Sequence, residues 1–184
     1  MSIDVGLLLL RVFIGAFMLG HGLQKLFGWF NGGGLQGTHG MIMKQRLRPV
    51  LIWKWAVILA ETGGGLFFAL GLLSPLAAVA IVAAMIMAMT LVTWPKFWGS
   101  KGGIEYNLLF VVPAVVIAIT GPGAYSLDAA FGIALPTLFT FVIGLALSLV
   151  VIAIALATRQ PVPAQTPADT TSVGDRTPVG TTRR

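Results

Sequence analysis

Ala60-Glu61-Thr62-Gly63-Gly64-Gly65 lies inside an apolar run that covers residues 50–73. A short carboxylic acid so far from either end of that run cannot reach bulk water. In a membrane helix an ionised side chain at mid-depth costs roughly 2.5 kcal/mol or more, so Glu61 must be neutral, paired, or turned toward a wet cavity. The three glycines that follow let a second backbone approach closely, which predicts a helix contact at this point. The fold depends on whether the remaining sequence reads as membrane helices too.

Composition says that it does. Hydrophobic residues make up 57% of the 184 and charged residues 10%, with a mean hydropathy of +0.91. Too few polar side chains remain to cover a water-exposed surface, so this is an integral membrane protein. The formal charge of +6 comes from basic residues scattered over loops, which argues against nucleic acid and for topology signals. Cysteine is absent, which excludes a disulfide, a thiol nucleophile and a cysteine-ligated iron–sulfur cluster within the chain. No basic residue precedes the first apolar run and no small-residue cleavage site closes it, so it reads as a retained span.

Five spans are expected, at about residues 5–27, 50–73, 76–94, 104–121 and 136–157. Between the first two lies a glycine-rich loop ending in Lys44, Arg46 and Arg48, with a short interfacial helix near 41–47. The third span is uncharged, and its Met85, Met87 and Met89 read as core or lipid contacts, with no metal site expected. The fourth should bend at Pro113. A loop or surface helix holding Ser126 and Asp128 leads to the fifth. The fold is therefore all-α, five transmembrane helices followed by a disordered tail (158–184). All loop lysines and arginines fall on one side, which the positive-inside rule makes cytoplasmic, with the N-terminus outside a cell membrane.

At 100° per residue Arg11, Gly15, Met18, Gly22 and Lys25 share one face of the first span, with His21 on its flank. Small and ionisable residues together belong inside a bundle. On the second span Lys54, Ile58, Glu61, Gly65 and Phe68 share a face. Counting about 1.5 Å per residue from the cytoplasmic ends puts His21 roughly 9 Å deep, Glu61 roughly 15 Å and Arg11 roughly 24 Å. Arg11 and His21 are therefore the expected partners of Glu61, above a shallow layer of Lys25, Lys54, Glu105 and Tyr106. Plainer roles compete for each: snorkelling for Arg11, Lys25 and Lys54, helix capping for Glu105, an interhelical hydrogen bond for His21, and an aromatic belt for Trp29, Trp53, Trp55, Trp94 and Trp98.

Three blocks in order carry a resemblance to a known family. They are Arg11-Val12 through His21-Gly22-Leu23-Gln24-Lys25-Leu26-Phe27-Gly28; Glu61-Thr62-Gly63-Gly64-Gly65 through Gly71-Leu72; and Gly102-Gly103-Ile104-Glu105-Tyr106-Asn107 through Gly121-Pro122-Gly123 to Ser126-Leu127-Asp128. Together they resemble the DoxX family of small bacterial membrane proteins over residues 5–128; the fifth span and the tail depart from it. The resemblance implies a four-helix transmembrane bundle (1–128) to which this chain adds a further transmembrane helix (129–157) and the tail, links to quinone reduction, sulfur-compound oxidation or oxidative stress, and soluble redox partners such as a sulfurtransferase.

Three functions follow as expectations. The leading one is a membrane subunit of an oxidoreductase system that binds a quinone or similar ring in the cytoplasmic half. Arg11, His21, Lys25, Glu105 and Tyr106 are its candidate binding residues, and Glu61 and His21 its candidate catalytic residues. The alternatives are a small proton-coupled transporter using Arg11, Glu61 and Lys25, in which a homo-oligomer could supply the pathway, and a scaffold that recruits soluble redox enzymes through the basic loop and tail.

Overall fold

A computed structural model describes residues 2–160; of the tail expected at 158–184 it describes 158–160, where Arg159 and Gln160 are hydrogen-bonded to Gln45 and Arg46, and the rest lies outside the described residues. Among those residues the secondary structure is entirely helical. Helix α1 is Ser2–Leu26, α2 Gly34–Lys44, α3 Val50–Leu70, α4 Ser74–Ala88, α5 Glu105–Thr120, α6 Leu127–Ala130 and α7 Thr137–Ala157. A π-helical turn, Met89–Thr93, extends α4, so that the third span is 20 residues long.

Among the described residues four helices are long and apolar enough to cross a membrane: α1, α3, α4 with its π-helical turn, and α7. The fourth expected span, α5, is shorter at 16 residues, about 24 Å at 1.5 Å per residue. It runs through Pro113 without a break.

Helix α1 packs on α3, and α4 packs on α3, α5 and α7, while α5 returns to α1 and closes a four-helix bundle. Helix α7 lies outside that bundle against α4 and α5. The main core gathers Met18, Phe68, Ala78, Ile81, Ala114 and Ile117.

The α1–α3 crossing is set by glycine. A methyl built on Gly15 would fall 2.6 Å from the Gly65 carbonyl oxygen, and one built on Gly22 would fall 2.5 Å from the Thr62 nitrogen. One built on Gly65 would lie 2.8 Å from the Gly15 oxygen. The two backbones are thus in direct contact, as small residues on a membrane helix allow. The buried residues of α1 are Arg11, Gly15, Met18 and Gly22, four of the five on the face expected to look inward.

The glycine-rich segment after α1 differs from the expected loop, because helix α2 begins already at Gly34. Thr38 explains the gain: its hydroxyl donates to the Lys25 carbonyl at 3.1 Å, and it also donates to Gly34 O at 2.8 Å. Gly32 lets the chain double back on α1, since a methyl there would fall 2.7 Å from the Gln24 Cα. The glycines serve close approach, and the polar face of a short helix then docks on the end of α1.

At the far end from the basic loops, Asp128 ties the α3–α4 turn. Its carboxylate accepts from the Leu73 N–H (2.7 Å), the Ser74 N–H (2.9 Å) and the Ser74 hydroxyl (2.6 Å). Leu73 is left-handed, with φ of 46°, a conformation that costs a branched side chain energy. The three hydrogen bonds offset it.

Candidate functional site

Glu61 is buried, and its carboxylate accepts from the ammonium of Lys25, forming an ion pair between α3 and α1. Neither Arg11 nor His21 is its partner, which corrects the ranking made by depth. That ranking assumed that α1 and α3 begin at one level. The glycine contacts set the register differently: Gly22 faces Thr62, and a methyl on Gly65 would lie 3.0 Å from the Cα of Leu19. Lys25, one turn beyond Gly22, thereby comes within reach of Glu61, and its flexible four-carbon stem covers the remaining distance. A lysine read as snorkelling toward water instead turns into the bundle.

The pair stands at the wall of a cavity of about 360 Å³. Its back is α4, where Ala83, Ala84 and Ala88 leave space in front of the helix. One side is α3, with Trp53, Ala56, Val57, Ala60 and Glu61, and the other is α7, with Leu147, Ser148, Val151 and Ile152. At the end near the basic loops, Met41, Ile42 and Gln45 of α2, followed by Leu47, form the floor. Trp53 is positioned by its indole N–H, which donates to the Arg48 carbonyl at 3.2 Å. The lining is apolar except for the Lys25–Glu61 pair, Gln45, Ser148 and the Trp53 indole, the pattern of a site that holds an apolar body and orients it by a few polar groups. A volume near 360 Å³ suits a single substituted ring.

The other candidate residues lie elsewhere. Arg11 is buried at the opposite end, where Nη2 donates to the Tyr125 carbonyl and Asp128 lies within electrostatic reach. Gly71 must be glycine there, since a methyl would overlap the guanidinium. Nε and Nη1 of Arg11 find no hydrogen-bond partner among the described residues. His21 is exposed and meets Phe110 of α5 edge-on, with ring centroids 5.8 Å apart. One residue from Gly22 is a 100° rotation, which carries it off the α3 contact. It borders a shallow outward groove with Ala16, Phe17, Gly20, Gln24 and Phe30. Glu105 accepts from the Gly99 N–H at 2.7 Å, holding the loop before α5, and the exposed Tyr106 ring covers Gly99. Lys54 stacks over Trp55 at 5.4 Å.

Of the named candidates, the structure therefore brings together Lys25 and Glu61 and separates them from Arg11, His21, Glu105 and Tyr106. Sequence reasoning missed Gln45, Ser148 and the whole contribution of α7. A uniformly apolar helix shows no pattern that distinguishes a cavity wall from a lipid face. The alanine cluster of α4 was the available signal.

No curated protein and no solved structure matches the chain. The sequence model described as DoxX matches residues 6–94, running from within α1 to just past the π-helical turn. That stretch holds the first two of the three resembling blocks and both members of the ion pair; the third block, α5 and α7 lie outside it. Residues 6–94, with their apolar helices and the buried ion pair, thus match the DoxX family of membrane proteins.

Proposed function

We propose that the protein is the membrane subunit of a redox system and that the cavity beside Lys25 and Glu61 binds a quinone or a closely similar ring. The observation that supports this is an acid–base pair, buried within the membrane region, on the wall of an otherwise apolar cavity of ring size. A quinone, when bound, accepts two electrons and two protons; the electrons would come from a reduced sulfur compound or other soluble donor, delivered by a soluble partner such as a sulfurtransferase that presents the sulfur substrate. Lys25 has two N–H groups beyond the one given to Glu61 and can donate to a ring oxygen. Glu61 can hold a proton for transfer, and Lys25 orients its carboxylate. Trp53, Val57 and Met87 exclude water and offer flat or polarisable surface to a ring. The positive-inside rule supports reading the ring as lying in the cytoplasmic half of a cell-membrane protein.

Transport has less support, because Arg11 is held at the other end of the bundle and does not line the cavity. The test of ring binding is equilibrium binding of a short-chain benzoquinone to protein purified in mild detergent. Glu61→Gln should weaken binding about tenfold or more, the effect of losing a hydrogen bond to a charged group. No binding to the unsubstituted protein would contradict the proposal.

A further inference from the structure

The geometry points to a lateral portal: we propose that the cavity takes its ligand sideways from the bilayer, between α3 and α7, and that the ligand is an amphiphile with a hydrocarbon chain. This rests on the cavity being the ring site. Two observations carry it.

The first is that the end near the basic loops is shut. Ile42, Leu47, Val50 and Ala155 form a buried cluster across it. Outside that cluster the end of α7 is clasped to the α2–α3 loop. The Arg159 Nε donates to the Gln45 carbonyl at 2.9 Å and the Gln160 N–H to the Arg46 carbonyl at 3.2 Å. Gln45 and Leu47 belong to both the clasped loop and the cavity floor, so the clasp holds the floor in place.

The second is that the side is open. Both α3 and α7 pack on α4, and beyond the Val50–Ala155 cluster at the closed end no extensive contact joins them. Leu147 and Val151 line the cavity, yet are 64% and 51% exposed, and Ala56 opposite them is exposed as well. Residues that border a cavity and also face outward at membrane depth mark its mouth. The mouth therefore faces lipid chains.

The ligand class follows from where the polarity sits. Lys25 and Glu61 lie at the buried wall and the mouth is hydrocarbon, so a ring with polar oxygens enters first. A chain left in the gap stays among lipid tails, which are as apolar as the side chains beside it, and loses nothing on binding. Helix α7 forms one side of the mouth and lies outside the residues matched to the family, so the portal depends on a part of the chain beyond that match.

The experiment uses the full chain in lipid nanodiscs with Trp29, Trp55, Trp94 and Trp98 replaced by Phe, so that Trp53 on the cavity wall reports alone. A decyl-substituted benzoquinone, added to the lipid phase, quenches Trp53 on arrival. Leu147→Phe with Val151→Phe narrows the mouth and should slow quenching about tenfold, while Arg159→Ala with Gln160→Pro, which removes both clasp donors, should leave the rate within about twofold. Unchanged quenching in the first pair, or clearly faster quenching in the second, would overturn the portal. Quenching that is lost in Glu61→Gln but insensitive to both pairs upholds ring binding and overturns the lateral route. No quenching in the parent protein overturns the binding reading itself. Circular dichroism checks that each variant keeps its helices.

Discussion

Lys25→Met is expected to destabilise the protein by about 3–5 kcal/mol, because it leaves a buried carboxylate without its counter-charge. Glu61 is only 4% exposed and sits at membrane depth on the α3 contact face, so water cannot replace the ammonium. The reason for the size is desolvation: a single charge left in a low-dielectric interior loses the attraction that made its burial tolerable. Lys25→Met combined with Glu61→Gln removes both charges and should recover most of the loss, since well-filled neutral side chains often replace a buried ion pair at little cost. Thermal unfolding of the four proteins in one detergent gives the coupling directly. Additive losses would show that the pair does not act as a unit. The cycle also separates stability from function, because the double variant should fold and yet bind no ring tightly.

Gly65→Ala should lower stability by about 1–3 kcal/mol or more, since overpacking a backbone contact forces the helices apart. A methyl on Gly65 would meet the Gly15 oxygen and the Leu19 Cα, which belong to helix backbone and cannot swing away. Gly63→Ala, two residues earlier in the same run, has nothing within 4 Å of the new carbon. Removing a glycine from a helix interior there should be neutral or stabilising by up to about 1 kcal/mol. Melting temperatures of the two single variants decide the point. Equal losses would mean that the run is needed for flexibility and not for the crossing with α1.

The contrast between these glycines shows what was readable in the sequence. Spacing alone placed Arg11, Gly15, Met18 and Gly22 on an inward face, because lipid rejects both a charge and an exposed groove. It likewise placed Glu61, Gly65 and Phe68 on the matching face of α3. What spacing cannot supply is the vertical register between two helices. That register comes from which glycine meets which backbone, and it moved the partner of Glu61 from Arg11 or His21 to Lys25. His21 was on the flank by rotation, and the flank proved to be the α5 side. The cavity was illegible for another reason. It arises from missing volume at Ala83, Ala84 and Ala88, and α7 presents the same apolar composition to cavity and lipid. The helical, membrane-spanning character needed only hydropathy and loop chemistry, whereas the four-helix bundle followed from the family resemblance.

The proposed function stands or falls on a lipophilic ring seated in the Lys25–Glu61 cavity. Photolabelling tests it most directly: a quinone carrying a photoreactive group on the ring, irradiated with the protein in nanodiscs, followed by peptide mass spectrometry. Adducts are expected on residues 53–61 of α3 and 147–152 of α7, with labelling lost in Glu61→Gln. Adducts confined to the outward groove of Phe17, His21 and Phe30, undiminished in that variant, would contradict it.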